Sequence, residues 1–304
     1  MLYNWPIEPR NSKLWIDDLE KKRWSVIELI NWTADYIKEK GFENARLETE
    51  WLLSHVLQKK RLELYLNFDR PLDSRELADF KSLLKRRLNH EPVQYILQET
   101  EFYSLPFKVN RHVLIPRPET ELLVDKVIEH IHKNPKSESY NILDIGTGSG
   151  CIAIALAKQI ENAHIEAWDV SENALHVAHE NAKWNKVDHK ICFKQQNVFD
   201  AWPSARFDII VSNPPYIRKN EWQDLAPEII NFEPQSALIA GEDGLTYYRK
   251  FASEITNVTA PYSYAFFEIG ADMADSMKSI FDMKTKVFQD LAGRDRIIKV
   301  EIGG

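Results

Sequence analysis

The chain has 304 residues, 44% of them hydrophobic and 28% charged, with a net charge of −7, the balance of a soluble globular protein long enough for two cores. No apolar run is long enough to span a bilayer, and no charged-then-apolar start with a cleavage site is present. Its two cysteines, Cys151 and Cys192, lie far apart without ligand spacing, which excludes a disulfide framework and a structural zinc site and predicts a cytoplasmic protein that needs no metal. Residues 1–95 hold 17 of the 39 basic and 16 of the 46 acidic side chains, so the negative charge sits in the remainder. Affinity for a bare duplex is dominated by phosphate neutralisation, and this balance argues against nucleic acid as the main partner.

Residues 1–20, mixed aromatic, proline and charge, predict a loosely packed arm. Ser25 then caps a helix that ends before Gly41, with Val26, Leu29, Ile30, Thr33 and Ile37 at helical spacing. Asn44 opens a second helix through Leu57, and a short helical segment follows near 62–66. Asp73 or Ser74 caps a longer one, with Leu77, Phe80, Leu84 and Leu88 on one stripe, stopped by Pro92. Residues 21–92 therefore predict a small all-helical domain, with Lys81, Lys85, Arg86 and Arg87 as a solvated basic outer face. Over residues 93–114 the period changes, and Phe102, Leu105, Phe107, Val109 and Val113 among polar residues predict a β-hairpin linker.

The run Ile115-Pro116-Arg117-Pro118-Glu119-Thr120-Glu121 leads into a helix over 122–132. Proline followed by carboxylates is an ordinary helix start, but two prolines bracketing an arginine is more rigidity than a start requires. From Tyr140 onward strands alternate with helices. Strands are predicted at 141–145, 164–168, 190–194, 207–211, 262–268, 285–288 and 296–301, and helices at 151–159, 171–185, 244–257 and 271–281. This predicts an α/β domain over 115–304 with a doubly wound, mostly parallel seven-stranded sheet and ligands at the strand carboxyl ends. The last two strands have no helix between them, so one enters antiparallel.

Leu143-Asp144-Ile145-Gly146-Thr147-Gly148-Ser149-Gly150 is a buried strand, a glycine-rich turn and a helix start. Glycines let a ligand approach the backbone, and the helix N-terminus offers free N–H groups. The spacing is G-x-G-x-G, unlike that of dinucleotide binders, and Asp144 at the strand end disfavours a pyrophosphate and favours an ammonium group. Asp169 closes the second strand, where a carboxylate takes both hydroxyls of a ribose or caps the next helix, a role Ser171 also fills. Asn197-Val198-Phe199 closes the third strand with an amide and an apolar surface for adenine. Amino acid, ribose and adenine without phosphates describe S-adenosylmethionine.

The fourth strand runs into Ser212-Asn213-Pro214-Pro215-Tyr216. The prolines lack N–H groups, so their carbonyls are held without a local donor, and Asn213 adds a side-chain acceptor. Two rigid acceptors beside an aromatic face suit a planar NH2 group, although asparagine beside proline is also common turn punctuation. Glu268, ending the fifth strand, lies either near this site or facing water. Cys151 begins the helix after the glycine turn, where a thiolate would be stabilised, but is expected to be a small buried side chain.

With these residues the chain resembles the class I S-adenosylmethionine methyltransferases that modify planar nitrogens. More narrowly, it resembles the protein-(glutamine-N5) methyltransferases acting on class 1 peptide-chain release factors. The resemblance covers residues 25–302 and rests on the motifs above together with Glu91-Pro92-Val93-Gln94-Tyr95-Ile96-Leu97, Glu233-Pro234, Gly241-Glu242-Asp243-Gly244 and Ala292-Gly293-Arg294-Asp295-Arg296. The Pro-Arg-Pro-Glu-Thr-Glu run discriminates most, because DNA adenine enzymes lack it and the sister enzymes for a ribosomal-protein glutamine vary there.

The resemblance implies that Asn213 and the Pro214 carbonyl accept both protons of the glutamine carboxamide while Pro215 and Tyr216 pack on it. It also implies that Pro116, Arg117, Pro118 and Glu119 help form the glutamine pocket and that the helical domain recognises the protein substrate. A monomer with a protein partner, and without direct nucleic-acid or membrane partners, is expected. Gln98 and Ser104 stand where the family has glycines, Asn197 where it has aspartate, and Val198 where it has a larger aromatic. The rival readings are a ribosomal-protein glutamine methyltransferase, an N6-adenine or exocyclic-amine methyltransferase, and a non-catalytic binding module.

Overall fold

The computed structural model describes residue 19 and residues 22–136, 138–200, 202 and 206–303. The arm expected over 1–20 lies outside these apart from Leu19, which is buried. The chain divides into two compact units, Met1–Leu97 and Gln98–Gly304.

The first unit is helical: α1 (Val26–Glu39), α2 (Ala45–Leu57), α3 (Arg61–Leu66), α4 (Ser74–Leu88) and α5 (Val93–Leu97). Ser25 with Glu28, and Asp73 with Glu76, form capping boxes that satisfy the first-turn N–H groups of α1 and α4. Leu29, Ile30, Leu52, Leu53, Phe80 and Leu84 share one core. The basic face expected on α4 is only partly one. Arg87 falls on the apolar stripe, three residues after Leu84, and is buried with its Nε 2.7 Å from Glu48 Oε2 and its guanidinium over the Phe42 ring. Arg86 pairs with Glu91. Pro92 both ends one helix and starts the next, since its carbonyl accepts from the N–H groups of Tyr95 and Ile96. Residues 93–97 are thus helical, with Val93 and Ile96 in the core, and the hairpin is confined to β1 (Glu99–Phe102) and β2 (Leu105–Lys108) of the second unit.

The rest of that unit is α6 (Glu121–Lys133), β3 (Tyr140–Ile145), α7 (Cys151–Gln159), β4 (Ala163–Asp169), α8 (Glu172–Trp184), β5 (Ile191–Gln195), β6 (Phe207–Ser212), α9 (Pro227–Phe232), α10 (Thr246–Val258), β7 (Thr259–Glu268), α11 (Ala274–Ile280), β8 (Lys284–Gln289) and β9 (Asp295–Ile302). The sheet order is β5-β4-β3-β6-β7-β9-β8. All pairs are parallel except those of β9, which is antiparallel to both neighbours.

Side chains alternate across the sheet. Ile142 and Ile209 pack with Val124 and Ile154 on the face of α6 and α7. Leu143 and Ile210 pack with Phe251 and Met277 on the face of α10 and α11. From β3 the chain builds outward through β4 and β5, then returns to place β6 on the other side of β3. That reversal opens a crevice at the carboxyl ends of β3 and β6, the usual ligand position of such sheets.

Candidate active site

The glycine turn leaves β3 at Asp144. Gly146 N and Thr147 N both donate to the Trp168 carbonyl, at 2.8 and 2.9 Å, which fixes the turn against the end of β4. Gly146 has φ +74, and a Cβ there would meet nothing within 4 Å, so the backbone faces open space. Gly150 instead packs, since its Cβ would meet Ala178 Cβ and Ile154 Cδ1 at 3.1 Å. Asp144 is fully buried behind the turn. Its Oδ2 accepts from Thr147 Oγ1 at 2.6 Å, Oδ1 accepts no well-formed hydrogen bond, and burial pushes the carboxyl up to about 7 against Thr147 and the nearby Ala153 N–H.

Asp169 accepts from Ser171 N and Gly148 N, each at 2.9 Å. It therefore links the glycine turn to the α8 cap while burial raises its carboxyl. Asn197 Oδ1 accepts from Phe199 N at 3.0 Å in a local turn. Val198 is buried, and Phe199 is 48% exposed with its ring centroid 5.2 Å from that of Tyr247.

These residues and the β6 loop bound one cavity of about 470 Å³. Its wall contains Gly146, Gly148, Asp169, Asn197, Val198, Phe199, Asn213, Pro214 and Pro215, and also His112, Ser236 and Tyr247, which the sequence did not single out. Among the described residues, the wall does not include Asp144, Thr147, Ser149 or Gly150, which back the turn, nor Pro116, Arg117, Pro118, Glu119 and Tyr216.

Asn213 is held from two sides. Ser212 Oγ donates to the Ile145 carbonyl at 2.6 Å and pins the end of β6 to the end of β3. Asn213 Nδ2 donates to Thr120 Oγ1 at 3.0 Å, and Thr120 Oγ1 donates to Glu268 Oε2 at 2.6 Å. Thr120 and Glu268 are each 2% exposed, so Glu268 is a buried member of the site and not a strand-end carboxylate facing water. Burial pushes its carboxyl up to about 7 against the Thr120 hydrogen bond and nearby Arg296. Tyr216 rises to about 12, through burial first and Glu268 second.

The Pro-Arg-Pro run is also anchored. Buried Glu233 accepts from Ile115 N at 3.2 Å and pairs with Arg117 through its other oxygen, which accounts for a stiffness beyond that of a helix start. Pro116 is buried, while Pro118 and Glu119 are exposed. The Cys151 thiol is pushed up to about 12 by burial and is unsuited to nucleophilic work. Sequence reasoning missed Thr120 as a partner, Ser212 and the role of Glu233. All three lie inside motifs quoted above, but nothing in the sequence gives their partners.

Two family models match the chain, the PrmC N-terminal domain over residues 28–97 and the methyltransferase small domain over residues 119–242. The release factor glutamine methyltransferase of Geobacter sulfurreducens is 40% identical over 284 residues, covering 92% of this chain and 98% of its own length. That of Chlorobaculum tepidum is 40% identical over 286 residues, covering 91% and 97%. Among solved structures, the hMettl16 catalytic domain in complex with MAT2A 3′UTR hairpin 6 aligns with a TM-score of 0.52 over 73% of this chain and 82% of that one, at 15% identity, and shares the fold. Identity at this level across both units and nearly the whole length of the relatives places the chain: it belongs to the release factor glutamine methyltransferase family.

Proposed function

We propose that the chain transfers a methyl group from S-adenosylmethionine to the side-chain amide nitrogen of the glutamine in the Gly-Gly-Gln loop of class 1 release factors. The observation that carries this is the locked Asn213 amide. With Nδ2 engaged by Thr120, Oδ1 is left as an acceptor for a ligand, and Asn213 and Pro214 line the same cavity as Gly146 and Gly148.

The residues present fit S-adenosylmethionine. Asp144 carries a buried oxygen without a well-formed hydrogen bond, which an ammonium group nearby would compensate. The open face at Gly146 accommodates close approach, Asp169 suits a ribose diol, and Val198 with Phe199 offers an apolar surface to adenine. Asn197 spends its oxygen on Phe199 N, so the end it offers adenine is its NH2, a donor toward a ring nitrogen where an aspartate would accept. When bound, the cofactor supplies an electrophilic methyl on a sulfonium.

The protein's part is positioning and dry electrostatics. A carboxamide nitrogen is a poor nucleophile because its lone pair is delocalised into the carbonyl. Asn213 Oδ1 and the Pro214 carbonyl accept its two protons, fix the amide plane and push electron density back onto nitrogen, with no general base required before transfer. Pro215 and Tyr216 pack on the substrate side chain, and Pro116, Arg117, Pro118 and Glu119, held by Glu233, build the outer wall of the glutamine pocket. The helical unit recognises the release factor, and the enzyme works as a cytoplasmic monomer without metal. No helix among the described residues is long and apolar enough to cross a membrane.

Incubation with methyl-labelled S-adenosylmethionine and purified release factor should label the Gly-Gly-Gln glutamine, and Asn213→Ala should lower kcat on the order of 100-fold. Label appearing instead on a ribosomal protein or on adenine would overturn the proposal.

A further inference from the structure

We propose that Thr120 and Glu268 are positioning residues that act as a proton-controlled switch, setting which end of the Asn213 carboxamide faces the substrate. The inference rests on the function proposed above. An asparagine amide is nearly symmetric in shape, so packing alone does not choose between its oxygen and its NH2. The hydrogen bond recorded for it runs from Nδ2 to Thr120 Oγ1.

A hydroxyl has one proton to donate. With Glu268 ionised, and therefore only an acceptor, the Thr120 proton goes to Oε2. Thr120 then shows Asn213 only lone pairs, Asn213 must donate from Nδ2, and Oδ1 is left for the substrate. With Glu268 protonated, its O–H donates to Thr120 Oγ1 and frees the threonine proton for Asn213. That proton attracts Oδ1 and turns the NH2 toward the substrate amide, donors against donors. Two hydrogen bonds thus carry one proton's position from the end of β7 to the clamp.

The surroundings poise Glu268 for this role. It is buried at the end of β7. Arg296 on β9 and the Tyr216 hydroxyl favour the carboxylate, whereas Glu119 before α6 opposes it. Cys151 at the start of α7 and Tyr248 on α10 also face its charge, and Tyr248 donates to the Glu268 backbone carbonyl at 2.6 Å. Arg296 keeps a buried Nε without a partner. Together these hold the carboxyl at about 7, where a single proton moves near neutral pH.

The test measures kcat between pH 6 and 9 at saturating cofactor and release factor, together with the 15N shift of the Asn213 side-chain amide over the same range. In the wild type, kcat should rise about tenfold per pH unit below a break near 7 and level off above it, with the Asn213 resonance titrating at the same midpoint. Thr120→Ser should keep both features. Glu268→Gln should abolish the break and the titration, and Thr120→Val should abolish both and lower kcat about 10- to 100-fold, with cofactor Kd by calorimetry within threefold of wild type.

A flat wild-type profile with no Asn213 titration overturns the switch. A break surviving in both Glu268→Gln and Thr120→Val overturns it too, because the titrating group is then elsewhere, Asp144 being the neighbour of similar value. Because the resonance needs no acceptor, the two ideas fail separately. A wild type that titrates but leaves release factors unmethylated overturns the proposed function and leaves the switch standing.

Discussion

Gly244 shows how a residue outside the cavity sets the geometry inside it. Its φ is +77, and a Cβ there would lie 2.4 Å from the Tyr216 carbonyl oxygen and 2.7 Å from Met273 Cε. The chain leaving Asn213-Pro214-Pro215-Tyr216 pairs with the segment before Gly244: Ile217 N donates to Leu238 O, and Ala240 N donates to Ile217 O, each at 2.9 Å. That segment is a splint for the clamp. Gly244→Ala should displace the Tyr216 carbonyl and lower kcat on the order of 100-fold, with about 1–2 kcal/mol of stability lost to the left-handed backbone. A wild-type kcat in that variant would show that the prolines alone place the loop. Gly146→Ala makes the contrast. Its Cβ meets nothing within 4 Å, so the backbone cost is similar, but the methyl enters the cofactor's space. The expected signature is a raised Kd for S-adenosylmethionine measured by calorimetry.

At the scale of elements, the β1–β2 hairpin connects substitution to strain. Tyr103 and Ser104 both have positive φ, 54 and 57, the pairing of a type I′ turn that glycine and asparagine serve best. Gln98, just before β1, is left-handed as well, at φ 61. Gln98 and Ser104 are two positions where the family resemblance leads one to expect glycine, and here non-glycine residues hold the left-handed backbone. The hairpin is tied down on both flanks. Tyr103 N donates to Glu121 Oε1 and its hydroxyl to Asp125 Oδ1 on α6. On α8, Asn181 Oδ1 accepts from Lys108 N while Nδ2 donates to the carbonyls of Lys108 and Ser149. Ser104→Gly should therefore stabilise the protein by about 1 kcal/mol, seen as a higher urea midpoint with unchanged activity. Asn181→Leu strands backbone groups of both the hairpin and the glycine turn and should cost about 3 kcal/mol. An unchanged urea midpoint in Asn181→Leu would show that these ties contribute nothing to stability.

For the whole molecule, what could be read in advance follows the range of the forces involved. Buried parallel strands are apolar runs and the helices between them are periodic, so the seven strands, and the antiparallel entry of one of the last two, were legible one segment at a time; that it is β9 came from the structure. The glycine turn, Asp169 and Asn213 were legible because each sits at a strand end. The Asn213–Thr120 bond was not, since it joins residues 93 apart in sequence and exists only once β6 and the start of α6 share an edge. Arg87 was misread for the opposite reason: its charge suggested solvent, while its period placed it on the buried stripe beside Glu48. The six residues of α9 are too few for periodicity to show.

The same burial that makes the site dry also sets a pH dependence of folding. Asp144 and Glu268 are held at about 7 by burial. A carboxyl raised in the folded state binds its proton more tightly there than in the unfolded chain, so its stabilisation is complete below the unfolded carboxylate range and is lost as pH rises through 7. His130, lowered by burial to about 4, acts with the opposite sign and weakens the fold only below its unfolded value near 6.5. Between pH 6.5 and 8.5 the carboxyls therefore decide the direction, and the urea midpoint followed by tryptophan fluorescence should fall across that window. Asp144→Asn removes one of the two contributions held at about 7 and should shrink the fall. Saturating S-adenosylmethionine should shrink it in the wild type, because an ammonium beside Asp144 favours the charged form. If Asp144→Asn leaves the full fall in place, the buried carboxyl behind the glycine turn is not its source, and the pairing of Asp144 with the cofactor's ammonium loses its support.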